Sequence, residues 1–500
     1  MALEIKRQTL EVEELLGAGE TQTLVRAEAL VPGAGREAIE PLLADANLFI
    51  EDADLQTDRV VVEGSVACQA VYRQGEETAL RALTAQARLS HVLEIPGAQA
   101  GMFARVRGEV EHVDARYENG HMVFQITCAL RARVLRLAPA SVIDGVEGQE
   151  GLQTAFRTLD SVRLAAESSE MAQLKDTVAL PAALDARTTL MDWVTVQVEE
   201  TSPDLGGVRE KGRAMVETLV SSGAPGRPAV VVRYPLALDQ LVELPEWLAG
   251  DVFAQTCVRG IRTAIQPTEG ESGEAALTCE VDLRVTALAN ARSSAEALTD
   301  IYATQGSSLA VERESIALCT SAERRQLTES VRGTVMIGEN APGVGTVLAA
   351  QVRPVIGEIR AENGQGRVEG VLEASVLYMP GGSELPAAAQ SELPFSLSVP
   401  MSLDEDADVQ LAVLSAEANA LMSDRLEMKI QLGVTCERRA RERVSVVTNV
   451  EEGAPLERRP GIILCWPEPG EDAWALGKRY AVPAERAAIP QDGGPAVIRV

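Results

Sequence analysis

Val60–Tyr72 reads VVVEGSVACQAVY, a run of β-branched and small apolar residues alternating with polar ones around Gly64. Period-2 alternation of this kind belongs to a strand with one buried face. Two later segments share it: Val208–Val220 (VREKGRAMVETLV) around Gly212 and Arg367–Tyr378 (RVEGVLEASVLY) around Gly370, so the glycines lie 148 and 158 residues apart. Downstream the copies stay in phase. A proline closes an apolar run 32, 33 and 30 residues after each glycine, at Pro96, Pro245 and Pro400. A cysteine follows 64, 67 and 66 residues after the glycine, at Cys128, Cys279 and Cys436, each inside an alternating stretch (Ile126–Val134, Leu277–Val285 and Ile430–Arg438). Looser lead-in copies precede the glycines at Thr21–Pro32, Gln173–Pro181 and Gln326–Met336. Landmarks in one order at one spacing are the mark of an internal repeat.

The repeat divides the chain into units at 1–150, 151–305 and 306–445, a linker at 446–460 and a distinct segment at 461–500. Turn pairs such as Asn119-Gly120, Asn363-Gly364 and Gly381-Gly382 separate the alternating runs, as hairpins require. Each alternating strand buries one face and needs a second layer, so the expected fold is mainly β, with three antiparallel sandwich-like units. Glycines inside such strands mark bulges or close backbone approach. One stretch reads as a short helix, Arg36–Asn47 (REAIEPLLADAN), with Pro41 tolerable only near its start.

The 500 residues hold 46 Lys plus Arg against 74 Asp plus Glu, a net charge of −28, with 46% hydrophobic residues. That apolar fraction is ample for several cores. An acidic chain without a basic block repels phosphate backbones and anionic lipid, which argues against nucleic acid and membrane surfaces as partners. Met1–Gly17 is charged throughout and has no apolar core, unlike a secretory signal. The longest charge-free stretch, Ala341–Val352, is too short to cross a bilayer as a helix. The odd number of scattered cysteines suits buried thiols in a reducing cytoplasm.

From Gly461 the character changes. Ile462–Trp466 reads as a short strand and Pro469-Gly470-Glu471-Asp472 as a turn in which Asp472 caps a helix, Ala473–Tyr480. Val482-Pro483-Ala484-Glu485 opens a second helix and Ala496–Val500 a returning strand, giving a small βααβ module. Pro469, Gly470, Asp472, Trp474, Leu476, Lys478, Arg479, Tyr480 and Val482 together resemble a LysM module. The pattern is degenerate: Glu471-Asp472 stands for Asp-Thr, and the last loop is reduced to Gly493-Gly494-Pro495-Ala496-Val497. These departures fall in the loops that hold N-acetylglucosamine chains in typical LysM modules.

Three such β units followed by a LysM-like end resemble the SPOCS (spore coat) domain proteins of endospore-forming Firmicutes. The second unit departs most, with Leu219-Val220 where the others carry Tyr72 and Tyr378. The resemblance implies a non-catalytic adaptor of the mother-cell cytoplasm that binds the coat morphogenetic ATPase at the forespore surface. It places the partner-binding residues in the LysM-like end: Asp472, Trp474, Lys478, Arg479 and Tyr480. The alternatives are a peptidoglycan-binding scaffold and a coat protein that self-assembles through its strand edges.

Catalytic and metal-binding patterns are weak. His91, His112 and His121 all fall in the first unit, and His112 and His121 with Asp114 match no zinc-ligand spacing. Phosphate-loop and nucleophile-elbow motifs do not occur. Asp404-Glu405-Asp406-Ala407-Asp408 begins like a calcium loop but puts Val409 where the turn needs glycine and Ser415 at the bidentate glutamate position. No cofactor is expected.

Overall fold

The computed structural model of the chain describes residues 3–33, 37–224, 226–244, 251–267, 275–338, 341–404, 407–457, 461–489 and 494–499. Six strands form the first lobe: β1 (Glu4–Leu30), β2 (Ile39–Gln56), β3 (Arg59–Gln74), β4 (Arg81–Glu94), β5 (Phe103–Glu118) and β6 (His121–Glu147). They pair antiparallel as two three-stranded sheets, β1-β6-β5 and β2-β3-β4. The next six are β7 (Leu152–Leu180), β8 (Ala186–Asp204), β9 (Gly207–Ser222), β10 (Ala229–Glu243), β11 (Val252–Pro267) and β12 (Ala275–Ala303). The last six are β13 (Ser307–Met336), β14 (Val344–Glu362), β15 (Gln365–Pro380), β16 (Ala387–Val399), β17 (Ala407–Met422) and β18 (Arg425–Pro455). Both sets repeat the pairing order, as β11-β12-β7 with β8-β9-β10 and as β13-β18-β17 with β14-β15-β16.

The two sheets of a lobe share one core. In the first, Val62, Val66 and Tyr72 of β3 pack with Phe124, Ile126 and Cys128 of β6. Cys279 and Cys436 hold the same place as Cys128 in the other cores. Asn119-Gly120 and Asn363-Gly364 make hairpin turns with both φ angles positive (50° and 88°, 51° and 78°), as a type I′ turn demands. Pro96 and Pro400 follow the ends of β4 and β16, whereas Pro245 lies outside the described residues.

The repeated glycines have one shared cause. Gly64, Gly212 and Gly370 sit opposite Ile50, Val198 and Ile356, next to a bulge in the neighbouring strand each time. A Cβ there would lie 2.6, 2.2 and 2.1 Å from the carbonyl oxygens of Phe49, Gln197 and Val355. The bulge presses the partner backbone onto the strand, and only a residue without a side chain fits.

A second bulge corrects the expectation of a helix at 36–47. Residues 39–47 are the start of β2, and Arg36 lies outside the described residues. The register slips between Pro41 and Leu43, so Leu42 is an extra residue and the alternation changes phase. Ile39, Leu42, Leu43 and Ala46 are all buried, a spacing that imitates one helix face. The slip recurs at Leu190 and Leu348. The three bulged leucines meet in one inter-lobe cluster with Val71, Leu219 and Leu377.

At the opposite end, the first half of β1 and the last half of β6 extend beyond the sandwich as a two-stranded arm. The other lobes have equivalent arms, and the three pack together through Leu10, Leu159, Ile316, Val142, Ala297 and Val446. Glu13 of β1 lies fully buried among them, accepting hydrogen bonds from Arg439 Nε (2.6 Å) and Nη2 (2.7 Å) and from the Leu164 backbone N–H (2.7 Å). One carboxylate thus touches all three lobes. Asn47 reaches the Val258 carbonyl (3.0 Å) and Thr195 the Val413 carbonyl (2.8 Å), joining successive lobes around a central cavity of about 2760 Å³.

The linker expected from residue 446 starts later. β18 runs to Pro455, paired with Ser307, because Val444, Val446, Val447 and Val450 are buried in the arm clusters; residues 458–460 lie outside the described set. The tail then forms β19 (Ile462–Cys465), α1 (Ala473–Tyr480), β20 (Ala487–Ala488) and β21 (Ala496–Arg499), in sheet order β19-β21-β20. The second helix expected after Pro483 is a single 3₁₀ turn, Ala484–Arg486, closed by the Arg486 N–H on the Pro483 carbonyl (2.8 Å). Gly493 lies outside the described residues.

Candidate partner-binding site

The tail has its own small core of Leu476, Val482, Ala487, Ala496 and Ile498, with Tyr480 half-buried against it. Asp472 caps α1 by accepting from the Ala475 N–H at 2.8 Å, an arrangement that stabilises a helix by about 0.5–2 kcal/mol. Of the five residues marked by the sequence, two therefore build the module: Asp472 starts its helix and Tyr480 packs its core.

Trp474 and Lys478 point out of the module onto the second lobe. The Trp474 indole N–H donates to Asp300 Oδ2 at 2.8 Å and Lys478 Nζ to Asp300 Oδ1 at 2.5 Å. Tyr302 meets the Trp474 ring edge-on, with centroids 5.0 Å apart and planes at 75°, and its hydroxyl donates to the Val482 carbonyl at 3.0 Å. Burial works to raise the Asp300 carboxyl, but bonds from Lys478 and Trp474 outweigh it and leave the group below the usual aspartate range. Arg313 adds a further ion pair to the same carboxylate. Gly477 makes this approach possible, since a Cβ there would lie 2.5 Å from the Tyr302 hydroxyl.

Arg479 turns the other way and pairs with Glu471 (2.6 Å) and Glu468 (3.3 Å) within the tail. The two neighbouring cations are therefore split, with Lys478 on the second lobe and Arg479 on the module's own turn. Asp300, Tyr302 and Gly477 were missed as site residues. A signal existed in the register: the residue after the arm bulge is Gly145, Asp300 or Asn449, and two positions on stand Glu147, Tyr302 and Glu451. Only the second lobe carries the aspartate and the tyrosine there.

The opposite face of the tail is apolar and open. Ile462, Leu464 and Trp466 are 69%, 60% and 69% exposed on alternate positions of the β19 segment, beside exposed Val497 of β21. An exposed apolar row of this kind is unusual on a protein surface and makes this face a candidate for contact.

The weaker ligand patterns are not assembled. His112 lies opposite Thr127 and His121 opposite Glu118, at different places along the β5–β6 hairpin, and His112 Nδ1 sits 2.8 Å from Glu373 of the third lobe. Asp404 is bound by Arg438 (2.8 and 2.6 Å) and Asp408 by Arg107 (2.7 Å), so these carboxylates face arginines, while Glu405 and Asp406 lie outside the described residues. Among the described residues no cluster of His, Cys, Asp and Glu is placed to hold a metal ion, and no helix is long and apolar enough to cross a membrane.

Residues 39–118 match the family model described as SipL, SPOCS domain. The match opens with β2 and closes with β5, so it covers the sheet β2-β3-β4, with Gly64 and its bulge, and the edge strand β5 of the other sheet. β1 and β6, which build the arm, fall outside it. No curated protein and no solved structure matches the chain.

Proposed function

We propose that this chain is a non-catalytic adaptor in spore coat assembly, binding the coat morphogenetic ATPase at the forespore surface from the mother-cell cytoplasm. The observation that carries the reading is the SPOCS match over β2–β5, since the SPOCS family is non-catalytic and belongs to sporulation. The repeated pairing order and the repeated glycine-bulge device support reading all three lobes as SPOCS units, at 1–150, 151–305 and 306–445. The tail, read as a degenerate LysM module, is the partner-binding element. Its open row of Ile462, Leu464 and Trp466 supplies the apolar contact that a protein partner needs.

Affinity capture from sporulating cells tests the reading. The full chain retains the morphogenetic ATPase, and a chain ending at residue 457 loses it. Undiminished capture without the tail would remove the role given to it, and failure of the full chain to capture the ATPase would remove the adaptor reading. Sedimentation with purified peptidoglycan is the parallel measurement; retention by glycan would favour the wall-scaffold alternative.

A further inference from the structure

We propose that the α1 face formed by Trp474, Gly477 and Lys478 is a receptor for an extended acidic-aromatic protein segment, a carboxylate two residues before a tyrosine, and that Asp300 and Tyr302 occupy it in the free protein. The seat is built for that chemistry. Its two donors, the indole N–H and the ammonium, take separate oxygens of one carboxylate. Its glycine leaves room for a phenol ring, and the Val482 carbonyl accepts the phenol hydroxyl. Asp300 and Tyr302 sit two apart on one strand, so their side chains project to the same side and enter the seat together.

The occupied state is releasable. The tail packs a core of its own, so leaving the second lobe does not require it to unfold. The Asp300 and Lys478 side chains are 21% and 38% exposed, so water reaches the ion pair and can replace either partner. Because both groups belong to one chain, the cis contact enjoys a high effective concentration and keeps competing segments out. A partner with the same carboxylate and ring must therefore displace Asp300 and Tyr302, and doing so frees the tail from the second lobe. The arms of the first and third lobes cannot take the tail in the same way, since they carry Gly145 with Glu147 and Asn449 with Glu451.

This inference deepens the adaptor reading by describing how its tail is held, but its test uses no ATPase, so either can fail alone. The probe is a fluorescein-labelled peptide of residues 296–304 (EALTDIYAT), titrated into the full chain and followed by anisotropy. The variant D300N/Y302A binds the peptide at least tenfold more tightly than wild type, and adding K478E removes that binding. A peptide with DIY replaced by NIA does not bind. Equal binding to wild type and variant, absence of binding by the variant, or indifference to K478E would each overturn the proposal. Tyr302 is buried, so the milder D300N, which keeps the ring in place, is run in parallel and shows a smaller gain in affinity with faster amide exchange across 473–482. Unchanged exchange in D300N would likewise overturn it.

Discussion

Replacing Glu13 by alanine tests whether the three lobes stand as one body. The carboxylate has no exposed area; Arg439 grips both its oxygens, Arg441 Nη2 lies 3.5 Å away, and the Leu164 N–H uses it as an acceptor. The two arginine side chains are only 13% and 15% exposed. Alanine leaves their charges without this counter-charge, and removing one member of a buried ion pair costs about 3–5 kcal/mol. That is a large part of the roughly 5–15 kcal/mol that holds a typical domain. With a urea dependence of about 1–3 kcal/mol per molar for a lobe-sized unit, the midpoint falls by at least about 1 M. Urea unfolding followed by fluorescence, with limited proteolysis of the arms, measures it. Removing the whole network as E13L/R439M/R441M should recover much of the loss, because apolar replacements of a buried network are often neutral. A midpoint shift under about 0.3 M for E13A would show that the arms are held by their apolar cluster and that the network is dispensable.

Gly370→Ala forces a Cβ against the Val355 carbonyl and should destabilise by about 3 kcal/mol or more, at the upper end of overpacking costs, with G64A milder because its carbonyl is farther away; equal urea midpoints for G370A and wild type would contradict the bulge geometry. Burial works to raise the Glu437 carboxyl, but the guanidiniums of Arg105, Arg107 and Arg324 outweigh it and bring it down to about 2. Its contribution to stability is therefore present above pH 4.5 and lost as pH falls towards 2, so wild type exceeds E437Q at neutral pH and the gap closes over that window. A gap in unfolding free energy that is flat with pH would refute this. Burial pushes the Cys68 thiol up to about 12 and the Cys128 and Cys436 thiols up to about 11, so iodoacetamide at pH 8 should label half-buried Cys465 well before these three in the folded protein, as peptide mass mapping will show.

How much was legible in the sequence depended on whether a feature is periodic or relational. The alternating strands around Gly64, Gly212 and Gly370 announced a β fold because side-chain parity is local and survives in any context. Residues 39–47 misled for the same reason: one bulged leucine changes parity, and nothing in the segment alone separates that from a helical face. The arms were unreadable as arms. The sequence puts a linker from residue 446, whereas Val444–Val450 pairs with Val311–Ile316, a partner more than a hundred residues away. At the tail, Asp472 and the helix start were readable from capping chemistry, whereas the use of Trp474 and Lys478 was not. Their partner is Asp300, whose significance appears only when the three arms are laid in register.

The chain passes from lobe to lobe only at the arm tips, through 148–151 and 304–306, and the tail leaves from the same end. The far end, where Leu42, Leu190 and Leu348 meet, is therefore crossed by no covalent connection between lobes. In wiring terms the molecule is three lobes soldered along one rim. A protease that nicked both rim turns would leave three pieces still clamped by their leucines. Permuted chains opened at Gly151 or Gly306 should close the same ring, because each lobe begins and ends at the same rim.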